Sequence, residues 1–256
     1  MSQLPELSPD ERSRYEWQLW IRGFGEVGQR RLKGATVFIS RIGGVGGTVA
    51  MQLAAAGIGR LILAHAGDLR LNDLNRQLLM ATDRIGRPRI ESALRRLQDL
   101  NPHVAVETIG ENVSGTNVKR LVGSADLIVS AAPLFEERLQ MNREAVRRGV
   151  PLVDCAMYEL EVRLTTILPG RTPCLSCLYP EPPPTWKREF PVIAPVSSTI
   201  GSLGAMEVIK LVAGLGELPS GHVLNFDLRD MTFTKIGVAR RADCAVCGSL
   251  KRTPVH

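Results

Sequence analysis

Apolar positions along this chain fall into short β-branched runs separated by longer stretches with helical spacing. Residues 36–40 (Thr-Val-Phe-Ile-Ser) form one such run, which ends at the glycine cluster Ile42-Gly-Gly-Val-Gly-Gly47. An alanine- and leucine-rich segment over 48–56 follows, stops at Gly57, and gives way to a second apolar run over 60–65. Strand, glycine turn, helix and strand in that order predict a βαβ unit, whose crossover makes the two strands parallel. The alternation continues with a helix over 87–100 that stops at Asn101-Pro102, a strand over 104–109 and a short helix over 118–122. A strand over 126–130, a helix over 136–148 and a strand over 151–154 complete it. This order is that of a doubly wound, mostly parallel α/β sheet with crevices at the C-terminal ends of its strands.

The two ends of the chain read differently. Residues 9–33 have helical spacing, with Tyr15, Leu19 and Trp20 recurring on one face and Ser8 or Ser13 as the cap. Beyond 155, the stretches 161–168 and 222–233 are strand-like with no crossover helix pattern directly between consecutive strands, which predicts antiparallel strands added to the sheet. Pro180-Glu-Pro-Pro-Pro184 excludes helix and central strand. It opens a segment expected to be flexible as far as Pro195, before a helix over 202–213. There is no internal repeat and no linker composition. The expected organisation is one domain over 1–256, with an N-terminal helix (9–33), a βαβ core (34–155) and a C-terminal part (156–248).

Composition changes this picture little. The chain is 44% hydrophobic and 23% charged, which is ordinary for a globular protein. It has no uninterrupted apolar run of membrane-spanning length, so no membrane span is expected. Glu6, Asp10 and Glu11 near the start leave no apolar targeting segment there, and the expected location is cytoplasmic. The formal charge of +6 is carried by scattered doublets such as Arg30-Arg31 and Arg95-Arg96, without interleaved aromatics. These read as solvated faces, and no nucleic-acid partner is expected.

The cysteines and the glycine turn carry more. Four of the five cysteines form two C-x-x-C pairs, Cys174/Cys177 and Cys244/Cys247, a spacing that in a reducing compartment reads as metal ligands. Cys155 stands apart and reads as a core residue. Gly43, Gly44 and Gly46 permit close backbone approach to a phosphate at a helix N-terminus, though a tight packing turn needs the same residues. Arg41 stands where the first glycine of a dinucleotide fingerprint belongs, and its side chain either crowds the turn or reaches a phosphate. His65 replaces the acid that would bind a dinucleotide ribose, which argues against nicotinamide use; a surface position is the competing reading. Arg76 and Arg89 would bring two permanent cations to the same sheet edge, as a triphosphate requires.

With these blocks together the sequence resembles the MoeB/ThiF/HesA family of adenylating enzymes. The resemblance runs from Arg14-Tyr15 to Gly248 and includes Gly28-Gln29, Gly43-Gly-Val-Gly46, Asp73-Leu-Asn-Arg-Gln77 and Asn101-Pro102. Thr172-Pro-Cys-Leu-Ser-Cys177, Ile200-Gly-Ser-Leu-Gly-Ala-Met-Glu-Val-Ile-Lys210 and the second cysteine pair extend it. The resemblance implies a Rossmann-like fold, ATP and Mg2+ as substrate and cofactor, and a structural Zn2+. It implies adenylation of the C-terminal glycine of a small ubiquitin-like sulfur-carrier protein ending in Gly-Gly, by a homodimer. Gly43, Gly44, Gly46, Asp73, Gln77 and Arg41 would then contact the nucleotide, and Arg76 and Arg89 would act as catalytic charge clamps. Arg89 matches a position usually held by lysine. The chain also departs from the pattern: Trp17-Gln18 stands for Arg-Gln, Pro133 for the aspartate that manages magnesium, and residues 185–195 hold no cysteine. The alternative is a catalytically degenerate member acting as a carrier-binding subunit, or as partner to an active paralogue in a heterodimer.

Overall fold

A computed structural model describes residues 4–181, 189–218 and 221–251. The expected helix over 9–33 is three helices instead: α1 (Pro9–Arg14), α2 (Glu16–Leu19) and α3 (Gly25–Gly34). Ser8 caps α1 in a capping box with Glu11, and the chain turns between α2 and α3 at Gly23, whose φ of +81° a helix cannot contain. From there the predicted alternation holds. β1 (Thr36–Ser40) leads into α4 (Gly44–Ala56), then β2 (Arg60–Ala64), α5 (Arg89–Leu100) and β3 (Ala105–Ile109). Next come α6 (Val118–Val122), β4 (Leu127–Ser130), α7 (Phe135–Arg148), β5 (Leu152–Tyr158) and β6 (Glu161–Ile167). The short α8 (Leu175–Leu178), the long α9 (Ala194–Ala213) and the strands β7 (His222–Asp227) and β8 (Thr232–Gly237) complete the order.

All eight strands lie in one sheet ordered β3-β2-β1-β4-β5-β6-β7-β8. β1 pairs in parallel with β2 on one side and β4 on the other, with Phe38 opposite both Ile62 and Ile128. β6, β7 and β8 are antiparallel additions. Connections from β1 run toward β2 while those from β4 run toward β5, so the topological switch point falls between β1 and β4. The run read as one strand over 222–233 is a hairpin, because the chain reverses near Met231, at φ +63°.

α9 starts eight residues before the expected 202. Pro195 was expected to close a loop but sits in the first helical turn, where a missing N–H costs nothing. Its apolar length would also suffice to cross a membrane, yet half of that stretch is buried inside the protein, packed against α4, β5 and β6. A Cβ on Gly204 would stand 2.4 Å from Cys155 Sγ, so only glycine lets this helix approach the sheet. Cys155 is buried accordingly, and burial pushes its thiol well above the ordinary range, as befits a core residue rather than a nucleophile. Of the segment expected to be flexible, residues 182–188 lie outside the described residues.

Candidate nucleotide site and cysteine cluster

At the switch point, β1 ends at Ser40 and Arg41 N donates to Ala64 O at 2.8 Å, holding the turn against β2. α4 then begins with Gly43 at its N-cap and no side-chain cap. The first N–H groups of a helix have no partner within it, and here no capping side chain takes them. Two glycines are needed for space. A Cβ on Gly46 would stand 2.6 Å from Arg41 O, and one on Gly44 would meet Ser197 Oγ at 2.8 Å. Ser197, in the first turn of α9, was missed by the sequence reading, whose matching block began at Ile200. Its side chain lies against the glycine turn at Gly44.

A second wall comes from the turn after β2. Asp73 is buried and organises it: Gln77 Nε2 donates to Asp73 Oδ1 at 2.7 Å and Arg70 N to Oδ2 at 3.0 Å. Arg76 Nη2 lies 3.3 Å from Oδ1 and Arg89 Nη2 lies 3.4 Å from Oδ2. The structure thus brings Asp73, Arg76, Gln77 and Arg89 together. It also separates their roles. The Arg89 side chain is 7% exposed and donates to Gly67 O and Asp68 O, whereas the Arg76 side chain is 26% exposed. Gln77 lies against the glycine turn, 3.5 Å from where a Gly43 Cβ would be, and its Oε1 is buried without a hydrogen-bond partner among the described residues. A buried acceptor left unpaired is costly, and a ligand donor would relieve it. His65 is buried beside the same turn rather than at the surface, with Cε1 3.8 Å from a Gly43 Cβ position.

Arg41 is not free to reach outward. It is buried and forms a bidentate ion pair with Glu137 on α7, with Nε to Oε2 at 2.8 Å. Sequence reasoning had no signal for Glu137, because the pair joins positions 96 residues apart. On β5, Asp154 is held by Arg138, whose guanidinium lies 4.6 Å over the Phe135 ring and 5.2 Å over Tyr179. Burial opposes the Arg138 charge, but Asp154 outweighs it and keeps the group above the ordinary arginine range.

Several resembling blocks prove to be structural. Tyr15 Oη accepts from Asn101 Nδ2 at 2.8 Å, and Asn101 also donates to Ala54 O. Gln18 and Gln29 both donate to Ala56 O. These four side chains tie down the C-terminus of α4, whose other end is the glycine turn.

The two C-x-x-C pairs, 70 residues apart, meet at a separate site. Cys174 Sγ lies 3.7 Å from Cys244 Sγ and Cys177 Sγ 3.5 Å from Cys247 Sγ, and all four sulfurs lie within 4.8 Å of one another. Four thiolates around a tetrahedral zinc at ~2.3 Å would stand about 3.8 Å apart, so the donor set fits zinc. At Cys244, burial pushes the thiol up, but the backbone N–H groups of Cys247 and Val246 prevail and bring it down to about 7, while burial raises Cys174. Beside this cluster lies an open cavity of about 660 Å3. Arg147 and Arg241 in its wall are paired with Glu144 and Asp243.

Residues 15–246 match the model of the ThiF family. The chain belongs to the ThiF family. This member is similar to the heterocyst protein HesA of Trichormus variabilis, at 46% identity over 243 residues, covering 95% of this chain and 91% of that one. It is 35% identical over 249 residues to the molybdopterin-synthase adenylyltransferase of Escherichia coli, covering 96% and 100%. Among solved structures, Escherichia coli MccB with MccA-N7isoASN superposes with a TM-score of 0.85 at 25% identity, covering 95% of this chain and 76% of that one. Relatives of this chain thus include proteins named as a sulfur carrier protein adenylyltransferase and a molybdopterin-synthase adenylyltransferase.

Proposed function

We propose that this ThiF-family chain adenylates the C-terminal glycine of a small ubiquitin-like sulfur carrier ending in Gly-Gly. A carboxylate oxygen of the carrier attacks the α-phosphorus of ATP, the bond from that phosphorus to the bridging oxygen breaks, and pyrophosphate leaves as the acyl-adenylate forms. The observation that carries this reading is the convergence of the uncapped α4 N-terminus with the Asp73-organised Arg76, Gln77 and Arg89 at the β1/β4 switch point. Phosphates suit the helix N-terminus, and charge developing on displacement suits a guanidinium. The partly exposed Arg76 is the cation that reaches the phosphates. Arg89, anchored to two carbonyls and Asp73, is a positioning residue. Gln77 Oε1 offers an acceptor to the nucleoside.

Magnesium normally accompanies such a triphosphate, but Asp73, Glu137 and Asp154 are each paired with arginine, and the Pro133 side chain offers no ligand atom. Zinc fits the four cysteines and would supply cross-linking alone, pinning the chain beyond β8 to α8. A homodimer formed through the N-terminal face is part of the proposal. Trp17 and Trp20 stand 79% and 71% exposed there, more apolar area than a solvated helix keeps.

Carrier-dependent exchange of labelled pyrophosphate into ATP tests the reaction. Arg76→Ala should reduce exchange about a hundredfold, since a lost charged transition-state contact costs ~3 kcal/mol. If calorimetry shows carrier binding but no ATP binding, the chain is instead a carrier-binding or dimer-partner subunit.

A further inference from the structure

Arg41 occupies a backbone position that disfavours it. Its φ of +58° lies in the left-handed region, which costs a residue with a Cβ about 1 kcal/mol or more. Its side chain is 7% exposed and its partner Glu137 is 6% exposed. The pair joins the residue after β1 to the first turn of α7, the helix after β4, and so spans the switch-point crevice where an open α/β sheet receives its ligand. Stability does not account for it. Desolvation offsets most of the Coulomb gain of a buried pair, and glycine would hold the turn without backbone strain. Two buried charges and an unfavourable φ are therefore maintained at the one crevice that a polyphosphate would enter.

We propose that Arg41 and Glu137 form an exchange latch, in which an entering polyphosphate takes the Arg41 guanidinium and releases the Glu137 carboxylate beside it. This rests on the nucleotide-binding reading above. A guanidinium fork matches phosphate as well as it matches carboxylate, so the exchange keeps the bidentate geometry while placing a more highly charged anion on Arg41. No covalent bond changes. The released carboxylate is left next to anionic phosphates, a repulsion that a divalent cation arriving with the polyphosphate would relieve. Magnesium would thereby act on binding through Glu137, which is paired with Arg41 beforehand.

The test is calorimetry of the full chain with ATP, in EDTA and in magnesium. Glu137→Gln keeps the shape but removes the competing charge. ATP affinity in EDTA should rise about tenfold, 1.4 kcal/mol, and the enhancement by magnesium seen in the parent should shrink below about twofold. Arg41→Gly relieves the backbone but leaves Glu137 facing the crevice, so affinity in EDTA should fall about tenfold and magnesium dependence should steepen. The double variant Arg41→Gly/Glu137→Gln removes both charges. It should melt no lower than the parent and show no magnesium enhancement, which keeps the test available if Glu137→Gln alone folds poorly. If Glu137→Gln, or the double variant in its place, keeps the parent's magnesium ratio, the latch is overturned while adenylation stands. If parent and variants all fail to bind ATP, the proposed function itself falls, and the latch with it.

Discussion

Replacing Asp73 by asparagine removes one charge from the centre of the nucleotide wall while preserving its shape. The buried carboxylate receives Gln77 Nε2 at 2.7 Å and Arg70 N at 3.0 Å, and lies 3.3 and 3.4 Å from Arg76 and Arg89. Removing one partner of a fully buried pair costs about 3–5 kcal/mol. Arg89 keeps two backbone carbonyls and Arg76 reaches solvent, so the electrostatic loss here is smaller. Asparagine has one acceptor oxygen where the carboxylate had two. It can serve the Gln77 side or the Arg70 side but not both, and a hydrogen bond to a charged group is worth about 1.5–3 kcal/mol. Together these give a destabilisation of about 2–4 kcal/mol. For a chain of this size each kcal/mol lowers the melting point by roughly 2–4 °C, so a drop of about 5–15 °C is expected. Urea unfolding followed by far-ultraviolet circular dichroism measures the stability. Calorimetry should show ATP binding weakened about tenfold or more, because Arg76 and Gln77 lose the group that aligns them. A loss below about 0.5 kcal/mol with unchanged ATP affinity would refute the claim that Asp73 organises this wall.

Three further outcomes follow from other parts of the molecule. Purified protein should carry close to one zinc per chain, and Cys244→Ser should lose it with a clear drop in melting temperature; metal-free protein with four freely alkylated thiols counts against the site. Asp154→Asn leaves Arg138 buried without its counter-charge and should cost about 3–5 kcal/mol, while Arg138→Met with Asp154→Leu should recover most of it; a single-variant loss under about 1 kcal/mol would remove the pair's assigned importance. Trp17→Ser with Trp20→Ser should convert a dimer to a monomer in sedimentation at tens of micromolar, and a parent protein already monomeric there would end the dimer proposal.

By itself the sequence determined whatever local chemistry dictates. β-branched runs alternating with helical spacing sufficed for the parallel half of the sheet, because that period is set by the pleat and the helix turn. Glycines at 43, 44 and 46, and cysteines spaced two by two, were legible for the same reason: a close backbone approach and a tetrahedral thiolate site each require particular residue types at short range. The Asp73–Arg76–Gln77 wall was also within reach, since it spans five residues of one turn. What the tertiary structure alone decided involves partners distant in the chain. Arg41 read as a residue that crowds the turn or reaches a phosphate, and only the fold, which sets the first turn of α7 beside the residue after β1, shows it paired with Glu137. Arg89 and Arg76 looked alike in sequence, and burial separates an anchored cation from a reachable one. His65 faces inward, and Pro195 opens α9 rather than closing a loop, because the surroundings of a residue, not its type, fix which of its tolerated positions it takes.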